Sequence, residues 1–116
     1  MDNECVFCKI IQGKIKAEIV HESNNFIAIK DAHPKVEGHT LIISRQHYTT
    51  MLEIPDKLGQ ELFKFSKNVA SYLLEQGFGS GFNLAINNFK VAGQMVMHAH
   101  VHILPRTEGD GLKSIV

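Results

Sequence analysis

Several things are scarce in this chain, and each shortage excludes something. No apolar run approaches the ~18–20 residues of a membrane span, so no membrane partner is expected. The N-terminal stretch MDNECVFCKI is acidic and mixed. It lacks the basic start and apolar core of a secretory leader, so the expected location is cytoplasmic. Only two cysteines occur, Cys5 and Cys8. In a reducing cytoplasm they are not expected to form a structural disulfide. Neither sign of charge dominates: Lys+Arg and Asp+Glu number 12 each, with pI near 7.1. That balance excludes the broad basic surface of a nucleic-acid binder. It leaves room for a small anionic ligand, which needs only a few aimed donors. There are no internal repeats and no low-complexity tract.

What is present fits one globular domain over 1–116, with 44% apolar residues. A domain of this size holds a modest two-layer core and often gains by dimerising. Residues 5–12 place Val6, Phe7, Ile10 and Ile11 at helical spacing, and Gly13 ends the turn. Residues 17–23 and 25–31 read as two strands joined by Ser23, Asn24 and Asn25. A loop punctuated by Pro34 and Gly38 leads to a third strand, 39–44. Pro55 suits the first position of a long helix. In that helix Leu58, Leu62, Phe65, Val69, Tyr72 and Leu73 form an apolar stripe. Phe63, Ala70 and Leu74 form a weaker one, either a wider core face or a dimer contact. A fourth strand is read at 81–88 and a fifth at 95–105, stopped by Pro105. The polar, glycine-bearing tail is expected to be loosely held. This order predicts an α+β fold: about five antiparallel strands, a short N-terminal helix and a long central helix, with helices on one face.

The most informative stretch is HAHVHIL, residues 98–104. On a strand, His98, His100 and His102 share one face and Ala99, Val101 and Ile103 the other. Each two-residue step spans about 6–7 Å, so three such histidines hardly converge on one ion with bonds of about 2 Å. At least one imidazole has another use. Neutral imidazole is a good nucleophile, and its neighbours can move protons near neutral pH. A catalytic site centred on His100 and flanked by His98 and His102 is therefore apt. Histidine nucleophiles suit phosphoryl or nucleotidyl transfer. Asn87, Gly93, Gln94 and the backbone around Met95 supply donors for a phosphoryl oxygen.

GQMVMHAHVHILPR, 93–106, resembles the signature of the histidine triad proteins. CVFCKIIQGKI near the N-terminus, AIKD at 28–31, GHTLIISRQH at 38–47 and NLAINN at 83–88 lie in that family's order and spacing. The resemblance covers nearly the whole chain and points to the nucleotide-binding branch, in a bacterial-type form. It implies a homodimer, two subunits extending one sheet. It implies that His100 attacks the α-phosphorus of a purine nucleoside phosphoramidate or similar conjugate. Water then hydrolyses a nucleotidyl-histidine and releases a nucleoside monophosphate. It places His102 at the phosphate and leaving group, and His39 in a hydrogen-bonded chain behind the nucleophile. Asp31 would accept from the ribose hydroxyls. Val6, Phe7, Ile10 and Ile29 would line the base pocket, although core packing is the plain alternative for Phe7, Ile10 and Ile29. Asn87 and the Gly93–Gln94–Met95 backbone would hold the phosphate; Asn87 and Asp31 are also ordinary turn residues. Met95 departs from the pattern, standing where many members carry a small hydroxyl residue.

Cys-x-x-Cys is by itself half a zinc site, a redox pair, or two inert thiols. The resemblance completes it with His47 and His98, giving Cys5, Cys8, His47 and His98 as ligands of a structural Zn²⁺. No organic cofactor is expected. His21 and His33 have no motif support and are read as surface residues. Two rivals remain: a nucleotide-binding module with little turnover, and a metalloenzyme holding a catalytic metal on His98 and His100.

Overall fold

In the computed structural model, which describes residues 4–113, all strands belong to one antiparallel sheet. They are β1 (Ile19–Glu22), β2 (Phe26–Lys30), β3 (Thr40–Ser44), β4 (Gly81–Ile86) and β5 (His100–Arg106). Their spatial order is β1-β2-β3-β5-β4. Helix α1 (Val6–Ile11) precedes the sheet, and α2 (Gly59–Glu75) links β3 to β4. The α+β class and both helices match the sequence reading. Among the described residues no helix is long and apolar enough to cross a membrane.

The helices do not share one face, as the sequence reading expected. Phe65, Val69, Ala70 and Leu73 of α2 pack on Phe26, Ala28, Ile42, Val101 and Ile103. Cys5, Phe7 and Cys8, at and around α1, pack on Ile27, Ile29, Leu41 and Ile43 of the other face. The cause is visible in β2 and β3, whose apolar residues run continuously (FIAI, LII) instead of alternating. Strands of that kind must be covered on both sides. Every residue of β3 is buried.

Four further expectations are corrected. Strand β5 starts at His100, so residues 95–99 are irregular and His98 does not lie on it. Pro105 does not stop the strand; it pairs with Phe82 beyond the last β3 partner, where its missing N–H is not needed. On α2, Tyr72 is an exposed residue, while Ser66 joins the buried face. The tail is held: the Arg106 guanidinium donates to both Asp110 oxygens (2.7 and 3.0 Å), to Asn83 Oδ1 and to the Leu112 carbonyl. Residues 114–116 of the tail lie outside the described region.

Two contacts fix the connections that lead into β2 and β3. Glu61 of α2 accepts from Ser23 Oγ, Asn25 N and Asn25 Nδ2, which fixes the β1–β2 turn. Gly38 has φ +88, and a Cβ there would meet the Phe78 ring at 2.8 Å. Only glycine lets the chain pass Phe78 and enter β3 with His39 buried beside it.

Candidate active site and metal centre

Strand register places the nucleophile candidate. His100 pairs with Ile43 and His102 with Leu41, so both rings face the α1 side of the sheet. Val101 and Ile103 face α2, as the alternation predicts. His100 is buried against the edge of the Phe7 ring, 5.0 Å between centroids. Its Nδ1 lies 2.7 Å from the His98 carbonyl oxygen. A carbonyl only accepts, so Nδ1 carries the proton and the Nε2 lone pair is free. Burial pushes the His100 pKa below the usual histidine value, against the His98 carbonyl and Asp31, which raise it. The ring is neutral at pH 7.

A second chain of bonds sets the state of His102. The Lys35 N–H donates to His39 Nδ1 at 3.1 Å. The His39 proton therefore sits on Nε2, 3.0 Å from His102 Nδ1. His102 Nδ1 accepts it, which leaves the His102 proton on Nε2. Burial, with His100 and His39 nearby, lowers the His102 pKa to about 4. Burial also lowers that of His39, opposed by Asp31. Asp31 Oδ2 stands 3.4 Å from His39 Nε2, and Oδ1 accepts from the His33 N–H. The site thus pairs one imidazole with an available lone pair and one with an available proton. Ring centroids of His100 and His102 are 5.0 Å apart.

His98 belongs elsewhere. Its Nε2 lies 2.7 Å from the Ser44 carbonyl, so Nε2 carries the proton. The Nδ1 lone pair then faces Cys5 Sγ at 3.2 Å and Cys8 Sγ at 3.5 Å. His47 Nδ1 is 3.2 Å from Cys8 Sγ. These four ligand atoms lie within 4.8 Å of one another. Two thiols and two imidazoles in that space suit a closed tetrahedral ion, and the Ser44 bond orients one ligand in the manner of a metal's outer shell. Neither cysteine is in a disulfide. The His98 carbonyl, not its ring, bonds to His100 Nδ1, and among the described residues no ligand cluster joins His98 to His100.

The remaining predicted site residues fall into two groups. Phe7 and Ile29 are buried core residues; Val6 and Ile10 are half-buried at its edge. Val6 and Met95 line one cavity of about 310 Å³ with Cys5, Val96 and Met97. Asn87 lies near Gly93, its Nδ2 3.5 Å from where a Gly93 Cβ would stand. The Gln94 side chain is not available to a ligand: it is 1% exposed, donates to the Thr49 and Val96 carbonyls, and accepts from the Phe89 N–H. It holds the loop from within. The sequence reading missed Lys35, which acts through its backbone N–H, and Ser44, whose carbonyl and Oγ both lie at His98 Nε2, 2.7 and 3.2 Å away. It also missed Phe89, the one non-glycine residue with positive φ among the described residues. His33 is exposed as expected, whereas His21 is half-buried against Tyr72.

Residues 12–109 match the family model described as HIT domain. The chain belongs to the HIT family. A HIT-like protein of Methanocaldococcus jannaschii is 44% identical over 92% of this chain and 82% of its own length. An Arabidopsis thaliana HIT relative, the adenylylsulfatase HINT3, is 36% identical over 97% of this chain, which spans 57% of that protein. A zinc-bound histidine triad family protein from Mycobacterium smegmatis superposes with a TM-score of 0.87 at 35% identity, over 94% of this chain and 79% of its own. The HIT fold thus includes at least one hydrolase and at least one zinc-bound member.

Proposed function

We propose that this HIT protein is a hydrolase of purine nucleotide conjugates, phosphoramidates in particular, with His100 as nucleophile. The observation that carries the reading is the 2.7 Å bond from His100 Nδ1 to the His98 carbonyl, which leaves Nε2 unprotonated beside the protonated Nε2 of His102. His100 Nε2 bonds to the α-phosphorus as the bond to the leaving nitrogen breaks. His102 Nε2 gives its proton to that nitrogen. Water then attacks phosphorus and returns a proton to His102. The phosphorus–His100 bond breaks, restoring the lone pair and releasing a nucleoside monophosphate. The N–H groups of Met95, Val96 and Met97, which make no hydrogen bond among the described residues, would stabilise the phosphoryl oxygens. Asp31 would receive the ribose.

Cys5, Cys8, His47 and His98 would hold a structural Zn²⁺, supplying rigidity and no step of the reaction. The setting would be the cytoplasm. A second copy would pair along the free edge of β4, where Phe82 and Leu84 are 43% and 47% exposed; Phe63 on α2 is 67% exposed.

The test is release of AMP from adenosine 5′-phosphoramidate by wild type and His100→Ala, with AMP binding measured on both. Loss of the nucleophile should lower the rate by several orders of magnitude, roughly 4–8 kcal/mol of barrier. Binding without turnover in wild type would favour a nucleotide-binding module instead.

A further inference from the structure

Asp31 makes contacts that a place at the ribose does not explain. Its N–H donates to the His39 carbonyl at 3.0 Å, one residue beyond Lys30 and Thr40, the last pair of β2 and β3. The two side chains meet as well. Asp31 Oδ2 lies 3.4 Å from His39 Nε2, where the His39 side chain is 1% exposed and that of Asp31 19%. Asp31 Oδ1 accepts from the His33 N–H at 2.9 Å, which ties down the carboxylate. A carboxylate offers about four lone-pair sites, so these two contacts leave room for ribose hydroxyls.

The contact with His39 falls on the atom that matters. His39 is held at both ring nitrogens. The Lys35 N–H takes the lone pair of Nδ1 at 3.1 Å, and an anion stands beside Nε2, where the proton then sits. That proton also faces His102 Nδ1 at 3.0 Å. It keeps Nδ1 an acceptor and leaves the His102 proton on Nε2, the atom that serves the leaving group. Ligand atoms of Asp31, His39 and His102 lie within 4.8 Å of one another, so the carboxylate charge acts on both rings. Burial lowers the pKa of His39 and of His102, and Lys35 and His100 reinforce it; Asp31 opposes it in both.

We infer that Asp31 is a positioning residue, which acts through His39 to keep the proton of His102 on Nε2. The inference rests on the hydrolase reading above, and it adds to the ribose contact without replacing it. The experiment measures kcat and KM of wild type and Asp31→Asn on adenosine 5′-phosphoramidate and on its analogue lacking both ribose hydroxyls. A residue that only held the ribose would raise KM for the first compound and cost nothing with the second. A residue acting through His39 should lower kcat about three- to tenfold with both, the worth of one orienting hydrogen bond. Asp31→Glu, which keeps the charge, should retain more of kcat than Asp31→Asn. In a His39→Asn background, Asp31→Asn should cost nothing more. Nitrogen NMR of the ligand-free protein supplies a readout apart from turnover. The His102 Nδ1 shift should read as an unprotonated nitrogen in wild type and move toward a protonated one in Asp31→Asn. An Asp31→Asn kcat equal to wild type on the analogue overturns the inference, as do losses that multiply in the double variant. If wild type releases AMP from neither compound, the hydrolase reading has failed and the catalytic role falls with it; a His102 shift that still moves in Asp31→Asn tells that failure apart from failure of the contact.

Discussion

Two clusters in this protein share a pair of imidazoles and close spacing and differ in chemistry. Cys5, Cys8, His47 and His98 bring their ligand atoms within 4.8 Å of one another, and so do Asp31, His39 and His102. In the first, the Ser44 carbonyl takes the His98 proton and turns a lone pair toward two thiols. The His98 lone pair and two thiol sulfurs converge there, and on loss of the thiol protons such a set suits a cation. In the second, the Lys35 N–H takes the lone pair of His39 Nδ1, so a proton stands between His39 and His102. Donor alternates with acceptor, which is what proton relay needs. The Ser44 carbonyl beside His98 and the Lys35 N–H beside His39 set the two clusters apart. The two meet at the His98 carbonyl, whose residue faces the metal set with its ring and orients His100 with its backbone.

The sharpest way to break this comparison is His102→Gln. It should cost about 10²–10⁴ in turnover of adenosine 5′-phosphoramidate, the usual worth of a positioned acid, while zinc content by metal analysis stays at wild type. Loss of metal with the activity would merge the two clusters into one. Cys8→Ala should do the reverse first. It should lose zinc and lower stability by on the order of 3 kcal/mol, read as a fall in melting temperature, with chelation of wild type acting in the same direction. Turnover should fall with it, because a loosened His98 no longer fixes the carbonyl that orients His100. A metal-free protein with wild-type kcat would show that the carbonyl is held by the chain alone.

His39→Asn is a smaller change. It removes an orienting partner and leaves the acid in place, so about 1–2 kcal/mol of barrier, roughly tenfold in kcat, is expected without loss of zinc. A further effect is on pH. Folding lowers the His102 pKa to about 4 from a usual 6.5, and lowers that of His39 as well. Between those values the unfolded chain binds protons that the native chain does not. Stability is therefore complete above about 6.5 and falls as the pH drops toward 4. Melting curves between pH 7.5 and 4.5 should show that fall, shallower in His102→Gln. A melting temperature that rises on acidification would contradict the assigned neutral state.

The elements were legible because their signals are local. The i, i+3, i+4 spacing of Leu62, Phe65 and Val69 declares α2, and Val101 and Ile103 alternate with His100 and His102 as a strand must. The two-sided cover was also written in the chain, in the unbroken apolar runs of β2 and β3, but an alternating template does not read them. The start of β5 was not legible. Residues 95–99 carry a strand-like pattern, yet Ala99 N–H bonds to the Tyr48 carbonyl and His98 turns away to the cysteines. Gln94 beside glycine looked like a donor for phosphate, and its burial among three backbone partners depends on the segment from Thr49, distant in sequence. The tail shows the same limit: its looseness followed from composition, and its clamp from Arg106 meeting Asn83 across two strands.

The amino-acid sequence by itself determined the class of the fold, the two faces of β5 and the inventory of reactive groups, because periodicity and residue type are properties of the chain alone. Only the tertiary structure decided which imidazole offers a lone pair and which a proton. Those states depend on the Ser44, Lys35 and His98 backbone groups, and folding, with its burial of the rings, brings them within hydrogen-bond reach.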